Sequence, residues 1–110
     1  MIQRIMQGAV EVITCDDSLN ADHLGALTKT LDECFEEGQP RIVLDLKSSP
    51  LIDSAGLELL VDMHERCQQR GGSIKLAGLN PLCLEIVRIT GVSKQLELYD
   101  DARSAVRSFL

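Results

Sequence analysis

Short runs of Val, Ile and Leu alternate along this chain with segments whose apolar residues recur every three or four positions, and Gly, Pro or Asn separates one kind from the other. That alternation constrains the fold more than any other feature. Strands joined through helices need crossover connections, so the sheet they build is largely parallel. Met1–Met6 and Ala9–Thr14 read as two strands around Gly8, a hairpin that adds one strand of opposite direction. Asn20 reads as the cap of a first helix whose Leu24, Leu27, Leu31, Cys34 and Phe35 face inward and which Gly38 stops. Arg41–Leu46 is a third strand, and its Ile42-Val43-Leu44 run suits burial on both faces. A turn over Lys47–Leu51 leads to a second helix, about Ser54–Arg70, with Leu57, Leu60, Val61, His64 and Cys67 on one stripe and Gly71-Gly72 at its end. Ser73–Ala77 is a fourth strand. Asn80-Pro81 opens a third helix with Leu82, Ile86 and Val87 facing in and Gly91 closing it. Gln95–Tyr99 is a last strand, and Asp100 or Asp101 caps a final helix carrying Ala105, Val106 and Phe109. The order ββαβαβαβα predicts an α/β fold: a single mixed, mostly parallel β-sheet flanked by about four helices, in one domain over residues 1–110.

Composition then excludes function classes. The formal net charge is −6 and aromatics make up 3% of the chain. Such a surface repels phosphate backbones and offers few rings for base stacking, so no nucleic-acid partner is expected. No run approaches the roughly 18 apolar residues of a membrane helix, and residues 1–7 lack a signal-peptide core. The expectation is a cytoplasmic chain without membrane insertion. Cys15, Cys34, Cys67 and Cys83 form no CxxC pair and read as reduced core thiols. No cofactor or metal is implied. Asp16 with Asp17, and Glu36 with Glu37, read as solvated acids. An enzyme is not expected either. Ser54 could serve as a nucleophile, but His23 and His64 are the only histidines. His64 would lie about 15 Å from Ser54 along the same helix. Neither a Gly-x-Ser-x-Gly elbow nor a Walker-type phosphate loop is present.

One segment carries a functional signal: Pro50-Leu51-Ile52-Asp53-Ser54-Ala55-Gly56-Leu57. It joins the carboxyl end of a buried strand to a helix, where open α/β sheets usually dock ligands and partners. Asp53 is a good N-cap, because its carboxylate accepts free amide hydrogens of the first turn. That register puts Ile52 and Leu57 at the two positions of a hydrophobic staple. Ser54 then falls in the exposed first turn. Gly56 breaks the local rule, at about 1 kcal/mol relative to Ala, and would let another backbone or a phosphate approach closely. A phosphate on Ser54 adds about −1.5 to −2 charges at a helix end that tolerates anions. It would therefore alter the surface without refolding the chain. On spacing alone, an ordinary capping sequence remains the simpler reading.

Placed just after the strand Arg41–Leu46, the pattern Leu51-Ile52-Asp53-Ser54-Ala55-Gly56-Leu57 resembles the signature of STAS domains, and more narrowly of anti-sigma factor antagonists. The opening hairpin, Gly71-Gly72 and Asn80-Pro81 extend the resemblance over essentially the whole chain. The resemblance implies a non-enzymatic binding module. Its unphosphorylated form would bind a partner that is both anti-sigma factor and serine kinase, releasing the sigma factor. A PP2C-type phosphatase would act on the phosphorylated form. Carried over by position, Ser54 is the phosphorylation site, and Asp53, Ala55, Gly56 and Leu57 belong to the partner-binding surface. So do Ser18, Leu19 and Asn20, although many relatives carry Gly-Glu-Leu-Asp where this chain has Asp17-Ser18-Leu19-Asn20. Ala55 replaces what is often a second hydroxyl. STAS domains also serve as subunits of transporters, including lipid-transport complexes, and of stressosome-like assemblies.

Overall fold

Each strand boundary follows from where glycine, proline or a capping side chain interrupts the pattern. The computed structural model describes residues 1–36 and 38–110. Strands β1 (Ile2–Gln7) and β2 (Val10–Cys15) form the opening hairpin, each one residue later than the sequence pattern suggests. Then come α1 (Leu24–Cys34), β3 (Arg41–Asp45), α2 (Ser54–Gln69), β4 (Ser73–Ala77) and α3 (Pro81–Ile89). A 3-10 turn at Val92–Lys94 leads to β5 (Glu97–Tyr99) and α4 (Ala102–Arg107). The strands lie in the order β1-β2-β3-β4-β5. Only β1 runs antiparallel to its neighbour. The mixed, mostly parallel sheet and four helices match the expectation.

Strand order places the helices. Successive parallel strands are added in one direction, and right-handed crossovers then carry every connecting helix to the same face. Leu27 and Leu31 of α1, Leu60 and Cys67 of α2, and Cys83 and Val87 of α3 accordingly pack on Ile13, Ile42, Leu44, Ile74 and Leu76. Among the described residues α4 covers the opposite face, with Ala105 against Val10, Val12, Val43 and Ala77. Ile42, Val43 and Leu44 are fully buried because β3 is central and its side chains alternate between two covered faces. On the α4 face Lys75 is buried. Its ammonium donates to Ser108 Oγ at 2.6 Å, lies 3.6 Å from Glu97 Oε2 and sits 4.1 Å above the Phe109 ring.

Several expected boundaries and faces differ. Asn20 does not cap α1. Its side chain accepts from the Asp22 amide two residues on, an Asx turn that diverts the chain before the helix starts at Leu24. The helix also stops at Cys34, ahead of Gly38. On α2 the core stripe is Gly56, Leu59, Leu60, Met63 and Cys67, while Leu57, Val61 and His64 are only half-buried. On α3, Leu82 is exposed and Cys83 takes the inward place. The last strand begins at Glu97, since Val92–Lys94 makes the 3-10 turn. The end of α2 is as expected. Gly71 has φ +71°, and the amides of Gly71 and Gly72 donate to Gln68 O and Cys67 O, a Schellman ending. All four cysteines are free and buried. Glu36 is exposed, and Glu37 lies outside the described residues.

Candidate functional site

The carboxyl ends of β2 and β3 lie side by side in parallel register, so the loops that leave them open on the same rim of the sheet. These are 16–23 and 46–53. Backbone hydrogen bonds stitch them together. The Leu19 amide donates to Leu51 O at 2.8 Å, and the Asp53 amide donates to Leu19 O at 3.1 Å. Leu19 and Ile52 thus form an isolated parallel bridge, both side chains buried. The second loop is anchored from two further directions. Ser49 is buried and its hydroxyl donates to Cys15 O at 2.7 Å. The Asn80 amide nitrogen donates to Ser49 O at 3.4 Å and Pro50 O at 3.2 Å, while its oxygen accepts from the Cys83 amide at 2.8 Å. A carboxamide can accept as a helix cap through its oxygen and donate to a loop through its nitrogen at once. Burial beside this loop pushes the Cys83 thiol up from its ordinary pKa.

Upon this platform α2 begins. Asp53 is extended, with φ −104° and ψ −172°, and its carboxylate accepts from the Gly56 amide at 3.0 Å, as an N-cap should. Ile52 is buried and Leu57 half-buried against the same core, as the staple register requires. Ser54 is exposed in the first turn, and no hydrogen bond holds its hydroxyl among the described residues. Ala55 is half-exposed beside it.

Gly56 has a reason that lies inside the chain. It is buried, and a Cβ at this position would stand 2.3 Å from Leu19 O and 2.8 Å from Leu19 Cβ. The backbone that approaches Gly56 is this chain's own. Gly56 and Leu19 are therefore not surface residues. They lock the two loops together and set the height of Ser54 above the rim. Of the residues expected to meet a partner, Asp53 at the end of one loop, Ser54, Ala55 and Leu57 at the start of α2, and Ser18 and Asn20 from the other loop retain accessible surface. The fold brings these six to one rim.

The remaining titratable groups of the region lie beside Asn20, along α2 and at the amino terminus. The His23 ring nitrogen Nδ1 lies 2.8 Å from Asn20 Oδ1. His64 Nδ1 has no hydrogen-bond partner among the described residues, and His64 sits further along α2, away from Ser54. Asp16 and Asp17 face the Met1 amino group. No helix among the described residues is long and apolar enough to cross a membrane.

A rim with an exposed serine hydroxyl at a helix start, on a five-stranded α/β sheet, fits one class of small domain, and the comparisons name it: the chain belongs to the STAS domain family, whose model described as "Mlab, STAS domain" matches residues 2–100. Within that family its sequence is similar to anti-sigma factor antagonists. It is 29% identical over 77 residues to the anti-sigma F factor antagonist of Paenibacillus polymyxa, a stretch covering 69% of this chain and 66% of that one. Its fold matches the crystal structure of an anti-sigma factor antagonist from Mycobacterium paratuberculosis with a TM-score of 0.88 and 19% identity, over 98% of this chain and 92% of that one. The anti-sigma factor antagonist SpoIIAA in its unphosphorylated form superposes with a TM-score of 0.80 and 15% identity, over 99% of this chain and 96% of that one.

Proposed function

We infer that the chain works as an anti-sigma factor antagonist, a binding module without catalytic activity of its own that is switched at Ser54. In its unphosphorylated form it binds a cytoplasmic anti-sigma factor that is also a serine kinase, and this frees the sigma factor. Asp53, Ser54, Ala55 and Leu57 meet that partner together with Ser18 and Asn20, while Leu19 and Gly56 hold the two loops in register. The observation that carries this reading is the free, exposed Ser54 hydroxyl at the first position of α2. Phosphate there adds about −1.5 to −2 charges beside Asp53 and excludes the partner by bulk and charge. The helix end accommodates the anion, so the fold persists. A PP2C-type phosphatase restores the neutral form.

The test is incubation with the cognate kinase and ATP, followed by peptide mass spectrometry. Phosphate on Ser54 is expected, and phosphate only at other residues refutes the assignment. In binding assays Ser54→Ala retains the kinase and Ser54→Asp loses it, with melting temperatures close to wild type. A second reading, a STAS subunit of a transporter, draws on the "Mlab" description of the matching family. Affinity capture with Ser54→Ala as bait separates the two: an anti-sigma kinase supports the first, a transport ATPase the second.

A further inference from the structure

Beside the rim, α2 and the end of α3 enclose an open groove of about 340 Å3. One wall is the ridge Ser54, Glu58 and Asp62. Four-residue spacing stacks these side chains at intervals of about 6 Å along the helix. The floor is apolar: Leu57 and Val61, half-buried, with Val92 and the Thr90 side chain across from them. Just outside, α3 carries an apolar stripe that its core contacts leave unused. Ile86 is half-buried, and Leu82 and Ile89 are 54% and 73% exposed. Among the described residues, the ionised side chains lining the groove are Glu58 and Asp62, both acidic.

We propose that this groove docks a cationic amphipathic helix of a partner protein. Charge complementarity selects the occupant. Lys or Arg residues at four-residue spacing would lie along the ridge, and apolar residues of the same helix would cover Leu57 and Val61. Ser54 occupies the end of the ridge, so a phosphate there turns two anions into a row of three and tightens docking. That last step rests on Ser54 being the phosphoacceptor, whereas the groove itself does not. Ser54 and Leu57 belong to both the rim and the groove, so the two partners compete for this end of α2, and phosphorylation shifts the balance from the rim's partner to the cationic helix.

The test uses the full chain and a labelled helical peptide with Lys at four-residue spacing flanked by Leu, followed by fluorescence anisotropy at low salt. Amide shift changes on the wild-type protein should centre on Leu57, Val61, Thr90 and Val92. Glu58→Gln and Asp62→Asn should each weaken binding about two- to five-fold, and Ser54→Asp should tighten it by a similar factor. A peptide with Glu in place of Lys should not bind. Binding that ignores peptide charge, or shifts centred on another face, overturns the docking site. Unchanged or weaker binding by Ser54→Asp overturns the phosphate response. Neither result depends on whether a kinase modifies Ser54, which mass spectrometry decides separately.

Discussion

Gly56→Ala provides the sharpest test of how the rim is built. Elsewhere in a helix this change stabilises by up to about 1 kcal/mol. Here the new methyl would stand 2.3 Å from Leu19 O and 3.0 Å from the Leu19 carbonyl carbon. Neither atom is the flexible end of a side chain, so the loop itself must move. Overpacking of this kind costs about 1–3 kcal/mol. Moving Leu19 also strains the two backbone bonds to Leu51 and Asp53, worth about 0.5–1.5 kcal/mol each. Setting the helix gain against these losses leaves a net destabilisation of about 1–3 kcal/mol. At roughly 4 °C per kcal/mol, the midpoint of thermal unfolding falls by about 4–12 °C. Urea titration gives the free energy, and amide exchange at Leu19 and Asp53 locates the damage. Gly25→Ala in α1 is the control, because nothing lies within 4 Å of a Cβ there. It should be neutral or stabilising. Equal or greater stability of Gly56→Ala, with unchanged protection at Leu19, would refute the close-packing explanation.

Three further outcomes follow from the same geometry. Asn80→Asp keeps the cap on α3 but loses the donor to Ser49 O and Pro50 O, and sets a carboxylate against two carbonyls. It should cost about 1–3 kcal/mol in denaturant unfolding, with Asn80 thereby shown to brace the loop as well as the helix. Lys75→Ala removes the buried stem and ammonium that hold Ser108 and Phe109. A loss of about 2–4 kcal/mol is expected, together with faster amide exchange at Ala105. The Arg4 guanidinium hydrogen-bonds Glu11 and holds its carboxyl below the usual range, so this pair stabilises the fold above the unfolded carboxyl pKa and stops doing so as pH falls through the folded value. Because Arg4 is well exposed, Arg4→Met should remove under about 1 kcal/mol at neutral pH and flatten the acid limb of a stability–pH profile.

Local chemistry was legible in the sequence where one residue does one job. Asp53, Asn80 and Asp101 each cap the helix that follows, and Gly71-Gly72 ends α2, because caps are decided within a single turn. Faces were harder. On α3 both Leu82-Ile86-Ile89 and Cys83-Val87 satisfy helical spacing, and only the position of the sheet decides which stripe is buried. On α2 the same ambiguity exchanged Leu59 and Met63 for Leu57 and Val61. Asn20 looked like a cap since caps and Asx turns use the same side-chain oxygen. At the site, the exposed Ser54 followed from register alone. The pairing of Gly56 with Leu19 did not, because the two residues are far apart in sequence and meet only through the β2–β3 register. The dual use of Asn80 was hidden for the same reason.

The strand order has a consequence for how the chain is made. Every strand pairs with its neighbours in sequence, so each one leaving the ribosome meets an edge already in place. None has to be inserted between two earlier strands. The single exception to this orderly growth is α4, which follows all five strands in the chain yet covers Val10, Val12 and Val43 from the first of the parallel strands onward. Until α4 emerges, one side of a finished sheet presents valine to solvent. A nascent chain halted before Ala102 would leave that apolar face uncovered.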